Sequence, residues 1–149
     1  MKPIRADIRR MAIAQNRIDE IYYLSAKALG TKDNTLVLLY ALDDGVPHSQ
    51  KQICQEWLIP KTTLNTVVRE CVEAGYIQLE PHAREKTIRL TPSGAAYAKR
   101  LLGPLYAAEE AAMAELPPGV VEALERFSYR FEAEFQRCIL QGEHDENTD

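Results

Sequence analysis

Residues 49–91 constrain this chain more than any other stretch. Two helical patterns meet at a tight corner, Trp57-Leu58-Ile59-Pro60. A short strand pattern follows at Tyr76-Ile77-Gln78-Leu79, then a polar loop from Glu80 through Pro81, His82, Ala83 and Arg84 to Glu85. A second strand pattern, Lys86-Thr87-Ile88-Arg89-Leu90, leads to a helix that opens at Thr91-Pro92. Helix, turn, helix, hairpin is the order of a winged helix-turn-helix, a unit that sets one helix in a DNA groove with a hairpin beside it.

The 149 residues suffice for one sizeable core. Charged residues interrupt every apolar run before it reaches membrane-spanning length. The start, Met1-Lys2-Pro3-Ile4-Arg5, lacks the apolar core of a secretion signal, so a cytoplasmic protein is expected. Cys54, Cys71 and Cys138 are odd in number and widely spaced, which argues against a disulfide framework or a zinc site. Helical spacing puts each cysteine at a position expected to be buried, where it acts as a small hydrophobe. A redox switch, the minority alternative, needs an exposed thiol of lowered pKa.

The net charge of −4 is unevenly spread. Residues 1–47 carry 7 basic and 6 acidic side chains, residues 48–100 carry 8 and 5, and residues 101–149 carry 3 and 11. The acid therefore gathers in the last third, away from the suspected reading head, and it is the local field of one face that matters for DNA.

Ile4, Ile8, Met11, Gln15, Ile18, Tyr22, Ser25 and Leu29 recur on one stripe of a helix over residues 4–29, with Gly30 as its C-cap. The stripe fits two partners equally, a second subunit or the protein's own body. Asp33 is expected to cap the next helix, whose apolar content is Leu36, Val37, Leu39, Tyr40 and Leu42. After the Asp43-Asp44-Gly45 turn, Ser49 and Gln52 have capping-box spacing. That helix runs to about Trp57 and should bury Ile53, Cys54 and Trp57.

Pro60 suits the first position of the following helix, which extends to Ala74 with Gly75 beyond it. Leu64, Val67, Val68, Cys71 and Val72 form its inner face. An alanine-rich helix after Thr91 has an apolar side of Ala95, Ala98, Leu101, Leu102, Leu105, Met113 and Leu116, and Gly103-Pro104 should kink or break it. Pro117-Pro118-Gly119 marks a boundary. A last helix, about 120–140, carries Val120, Leu124, Phe127, Phe131, Phe135 and Cys138 on one stripe, and an acidic tail from Gly142 has the composition of disorder.

No phosphate loop, metalloprotease motif or nucleophile elbow is present, so no enzyme, metal or cofactor is expected. His48, His82 and His144 fall in expected loops or the tail and read as solvated residues, with His82 alone flanking the hairpin tip. Outside the fourth helical pattern lie Lys61, Thr62, Thr63, Asn65, Thr66 and Arg69. A threonine methyl suits thymine and an asparagine pairs two-pronged with adenine. Lys61 and Arg69 are better placed for phosphates, which set register. The N–H groups near Ser49 offer another phosphate contact. Arg84 near the hairpin tip suits a minor groove, with Lys86 and Arg89 along the arm.

Residues 49–94 resemble the winged helix-turn-helix of MarR-type (multiple antibiotic resistance) transcriptional regulators. The resemblance runs through Ile59–Leu64, Val67–Ile77, Arg84 and Arg89-Leu90-Thr91-Pro92-Ser93-Gly94. Family members usually carry a leucine where Cys71 stands and a Leu-Thr-x-x-Gly like Leu90–Gly94. The flanking helices extend the resemblance over nearly the whole chain. It implies a fold that is mainly α with a small β-hairpin wing, a winged helix-turn-helix between N- and C-terminal dimerisation helices. The corresponding division is 1–30 for the first dimerisation helix, 31–94 for the DNA-binding domain, 95–140 for the long helix and C-terminal dimerisation helix, and 141–149 for a disordered tail. Ile4, Ile8, Met11, Leu124, Phe127 and Phe131 would meet a second copy. The implied partners are double-stranded DNA and the chain itself.

Two departures from the family stand out. Its wing commonly carries Asp-x-Arg, and here the tip reads His82-Ala83-Arg84, leaving Glu85 or Glu80 to hold the arginine. Hydroperoxide-sensing members use a cysteine in the first helix, which this chain lacks. The resemblance implies a repressor released by a small aromatic effector, in a cleft that Tyr22, Tyr23, Tyr40, Tyr97 and Tyr106 would line. For each tyrosine the competing reading is a packed core position with its hydroxyl hydrogen-bonded. The acid-rich last third also fits a winged-helix module that binds protein in place of DNA.

Overall fold

Why helices and a small sheet alternate here follows from capping and from which faces are buried. The computed structural model describes residues 2–80 and 84–140, with the backbone alone at residue 140. His82, Ala83, His144 and the acidic tail therefore lie outside the described residues. The elements are α1 (Pro3–Ala28), α2 (Asp33–Leu42), β1 (His48–Ser49), α3 (Gln50–Glu56), α4 (Lys61–Glu73), β2 (Ile77–Leu79), β3 (Thr87–Leu90), α5 (Pro92–Ala114) and α6 (Val120–Phe135). A π-helical turn, Gln136–Leu140, follows α6. The chain forms two compact units, Met1–Ala107 and Ala108–Asp149.

Helix α2 is the hub of the first unit. Leu36, Leu38, Leu39, Ala41 and Leu42 are all buried, as expected of a helix enclosed on more than one side. Leu38 and Leu42 pack with Ile53, Ile59, Leu64, Val67, Val68, Cys71, Ile77 and Ile88 in the core of the winged domain. Leu36 and Leu39 pack instead with Ala26 of α1 and Ala98, Leu101, Leu102 and Leu105 of α5. Leu38 was missing from the expected apolar content, because a single-stripe reading of α2 cannot show a second buried face. Asp33 is the first helical residue rather than the cap, which is Lys32, and no side chain caps this end.

The wing is a three-stranded antiparallel sheet in the order β1-β3-β2. His48 lies opposite Ile88 and Ser49 opposite Thr87, while Gln78 lies opposite Arg89. Strand β1 was not expected, being only two residues long. It places His48 in the sheet, where its ring bonds Asp44 Oδ2 at 2.8 Å, so this histidine is not a solvated loop residue. Burial pushes the Asp44 carboxyl up, but the Val46 N–H and His48 outweigh it and hold the carboxyl below its usual range. That contribution to stability is present at neutral pH and is lost as acid takes the medium through the lowered pKa.

Ser49 caps α3, its Oγ accepting the Gln52 N–H at 3.1 Å. The Gln52 side-chain amide donates to Glu56 Oε1 at 2.9 Å. Between α3 and α4, Leu58 takes a left-handed φ of +52° with its side chain 85% exposed. A leucine there is strained by roughly 1–2 kcal/mol and buries almost nothing in return. Leu58→Gly is expected to raise unfolding free energy by about 0.5–1 kcal/mol, after the extra freedom of glycine in the unfolded chain is subtracted. A urea titration reads this as a higher midpoint at unchanged slope.

Pro60 is the N-cap of α4 rather than its first helical residue, which is Lys61, and its carbonyl accepts the Leu64 N–H at 2.9 Å. At the other end Gly75 adopts φ +78°, and the Gly75 and Tyr76 N–H groups return to the Val72 and Cys71 carbonyls. Thr91 locks this end to α5. Its hydroxyl donates to the Gly75 carbonyl at 2.6 Å and accepts the Gly94 N–H at 2.9 Å.

Several burial expectations need correcting. Trp57 is 39% exposed, Val72 is exposed at its edge of α4, and Ala95, Met113 and Leu116 are exposed on or just after α5. Cys54 is half-buried and Cys138 exposed, leaving Cys71 as the buried thiol. Burial and the neighbouring Glu70 raise the pKa of Cys71, against the smaller pull of Lys32. At neutral pH Cys71 should resist iodoacetamide while Cys138 is alkylated first, as read by peptide mass spectrometry. Pro104 does not end α5, which continues to Ala114.

In the second unit, Pro117-Pro118-Gly119 separates α5 from α6, and Gly119 is the N-cap of α6. No residue of α6 is buried. Among the described residues no helix is long and apolar enough to cross a membrane.

Candidate nucleic-acid interface

The amphipathic pattern of α4 divides it cleanly. Leu64, Val67, Val68 and Cys71 enter the core. Lys61, Thr62, Asn65, Thr66 and Arg69 stand exposed on the other side, with Thr63 half-buried at the border. The Thr66 hydroxyl donates to the Thr62 carbonyl at 3.2 Å, so its oxygen keeps accepting capacity toward solvent. Because α4 begins at Lys61, the first two turns present the threonines and Asn65, and Arg69 follows one turn later.

The wing stands beside this face. A cleft of about 840 Å³ is bordered by Asn65 and Arg69 from α4 and by Arg84 and Lys86 from the wing. A second cleft, about 400 Å³, brings Lys61 and Asn65 together with Lys86 and with Cys54 of α3. Asn65 and Lys86, with Gln50 and Glu85, border both. Residues 61, 65 and 69 repeat every fourth position, which aligns them along α4.

Arg89 is placed differently. It lies opposite Gln78 on β3 and forms a 3.6 Å ion pair with Glu80, too long for a hydrogen bond. Glu80 is thus engaged by Arg89. Among the described residues Arg84 has no ion pair with Glu80 or Glu85, and its side chain is exposed. Ser49 is half-buried, with its hydroxyl committed to the Gln52 N–H.

Gln50 and Glu73 border the larger cleft without having been expected at the site, and Glu80 and Glu85, expected only as partners of Arg84, border it too. Gln50 follows the capping serine directly, and its N–H bonds the Lys86 carbonyl at 2.8 Å, which ties α3 to the wing. The sequence signal was a polar residue next to a cap, too common to single out. The acids partly offset Arg69, Arg84 and Lys86, so the field of this face is mild.

The five tyrosines separate. Tyr40 is the centre of one group, with ring centroids 6.4 Å from Tyr22, 5.4 Å from Tyr106 and 5.5 Å from Trp57. The Tyr106 hydroxyl donates to Asp43 at 2.9 Å. Tyr97 instead stacks on Tyr76 at 4.3 Å beneath the Arg100 guanidinium. Tyr23 is 60% exposed, turned from Tyr22 by one helical step. Trp57 joins the Tyr40 group from the end of α3, a contact that depends on chain reversal and not on local spacing.

The proposed dimer residues show a common property. Ile4, Ile8, Leu124, Phe127 and Phe131 are exposed, and Met11 is half-exposed. In α6 Phe127 and Phe131 stack at 5.8 Å along the helix surface.

Comparison with known proteins gives a consistent fold. A family model described as MarR family matches residues 29–86. No protein of curated function matches the sequence. A MarR family regulator from Neisseria meningitidis superposes with a TM-score of 0.76 at 19% identity, covering 91% of this chain and 98% of that one. A MarR family transcriptional regulator from Silicibacter pomeroyi DSS-3 gives 0.66 at 18% identity, over 83% and 93%. The transcriptional regulator BldR from Sulfolobus solfataricus gives 0.61 at 16% identity, over 89% and 99%.

Proposed function

We propose that this chain, whose residues 29–86 match the MarR family model, is a homodimeric, sequence-specific DNA-binding transcriptional repressor of that family, acting in the cytoplasm. The observation that carries this reading is the cleft bordered jointly by Asn65 and Arg69 of α4 and by Arg84 and Lys86 of the wing. Helix α4 enters the major groove with Thr62, Thr63, Asn65 and Thr66 toward base edges. Lys61, Arg69 and Lys86 neutralise phosphates and set the register. Arg84 reaches the adjacent minor groove from the arm. Arg89 serves mainly to hold Glu80, and Ser49 to start α3.

Dimerisation is supported by the apolar side chains that each unit exposes. Ile4, Ile8, Ile18 and Ile21 of α1 are each 45% exposed or more. Leu124, Phe131 and Phe135 of α6 are similarly open. Apolar stripes of this size on a soluble chain mark interaction surfaces. A second copy places two α4 helices about one DNA turn apart. Residues 1–30 and 95–140 then serve dimerisation and residues 31–94 serve DNA. A small effector seated near the Tyr40 group would change the spacing of the two reading heads and release the operator.

Fluorescence anisotropy on duplexes from the protein's own promoter region tests the reading, with light scattering for the oligomer. Saturable preference over scrambled duplex at moderate salt, by a species of twice the chain mass, is the expected result. Absence of any preference, with a salt-insensitive response, would instead favour a winged-helix module that binds protein.

A further inference from the structure

The cleft beside Tyr40 has a charge character of its own. It measures about 460 Å³, within the range of small-molecule sites. Tyr22, Tyr40 and Trp57 contribute three aromatic rings, and Leu36 contributes to its apolar lining. The polar side chains that border it include two carboxylates, Asp19 from α1 and Asp33 from the start of α2, and none of the lining residues is basic. Tyr40 contacts both Tyr22 and Trp57 edge to face, which holds the rings as one group.

Aromatic rings attract cations through the negative potential of their faces, and carboxylates add to that attraction. An aromatic acid placed here would meet two carboxylates and no basic side chain in the lining. A lipophilic organic cation would meet both favourable terms. We infer that this cleft binds organic cations carrying apolar groups, in preference to the aromatic acids that a basic lining would select. Binding itself needs nothing further. Its consequence for DNA rests on the regulator reading above, with the cation as the releasing effector.

Trp57 is the one tryptophan of the chain and stands in the cleft, so its fluorescence reports occupancy directly. Tetraphenylphosphonium and tetraphenylborate are nearly identical in shape and opposite in charge. Titrated into the full-length protein, the cation is expected to give a saturable change in Trp57 emission and the anion none at equal concentration. Asp19 and Asp33 are exposed, so Asp19→Asn combined with Asp33→Asn should leave the circular dichroism spectrum unchanged. The double variant should weaken cation binding roughly 2- to 25-fold, each exposed charge contributing up to about fivefold. In the unaltered protein the cation affinity should fall as salt is raised. An equal response to the anion overturns the inference, as does an unchanged affinity in the double variant or with salt. These titrations contain no DNA, so a lack of cation binding leaves the DNA reading intact. Failure to bind promoter duplex without any cation overturns that reading and leaves the cleft's preference standing.

Discussion

Gly94→Ala is expected to destabilise the protein by about 3 kcal/mol or more, a large fraction of the stability of a typical domain. A Cβ at this position would stand 1.9 Å from the Tyr76 carbonyl oxygen and 2.7 Å from its carbon. Both are backbone atoms, so no flexible side chain can yield. The same carbonyl accepts the Thr91 N–H at 3.0 Å, while the Thr91 hydroxyl bonds the Gly75 carbonyl. Moving α5 outward to admit a methyl would break these bonds and disturb the C-terminal end of α4. Urea denaturation followed by circular dichroism measures the loss. Wild-type stability in the alanine variant would show that α5 does not approach Tyr76 this closely. Thr91→Ser keeps both hydroxyl bonds and should cost far less.

Asn65→Ala should weaken specific DNA binding by about 1–3 kcal/mol and relax preference at one base pair, if its amide pairs with an adenine edge. Arg69→Ala should act differently, lowering affinity for every sequence by a similar factor and reducing the salt slope by roughly one phosphate. Both side chains are exposed, so neither change should disturb folding. Competition anisotropy against a set of single-base operator variants, repeated at several salt concentrations, separates them. Equal losses on all sequences for Asn65→Ala would remove it from base reading. An unchanged salt slope for Arg69→Ala would remove that residue from the phosphates.

Helix α4 shows how much could be read without coordinates. Its inner and outer faces follow from the 3.6-residue period, and four of the five expected inner residues are buried. Val72 departs at the edge of that stripe, where it borders the open cleft between α4 and the wing. Ser49 and Gly75 act locally, through a hydroxyl and a positive φ, and both were recognisable from residue type. At Pro104 the expected break is absent. The penalty for interior proline is real, yet Leu101, Leu102 and Leu105 on either side of it are buried against α1 and α2, and α5 stays helical.

Strand β1 and the pairing of Arg89 with Glu80 were not legible, since each depends on a partner far away or on a register set by another strand. The Leu-Thr-x-x-Gly segment was visible as a resemblance, but its physical reason was not. Period, capping chemistry and turn residues determined the order of helices and wing, because those forces act within a few residues. Tertiary structure alone decided that Gly94 must lack a side chain, that α2 is buried on two faces, and that Trp57 and two aspartates share a cleft with Tyr40. Each of these joins residues distant in the chain, and close approach of that kind is set by packing, for which a linear pattern carries no coordinate.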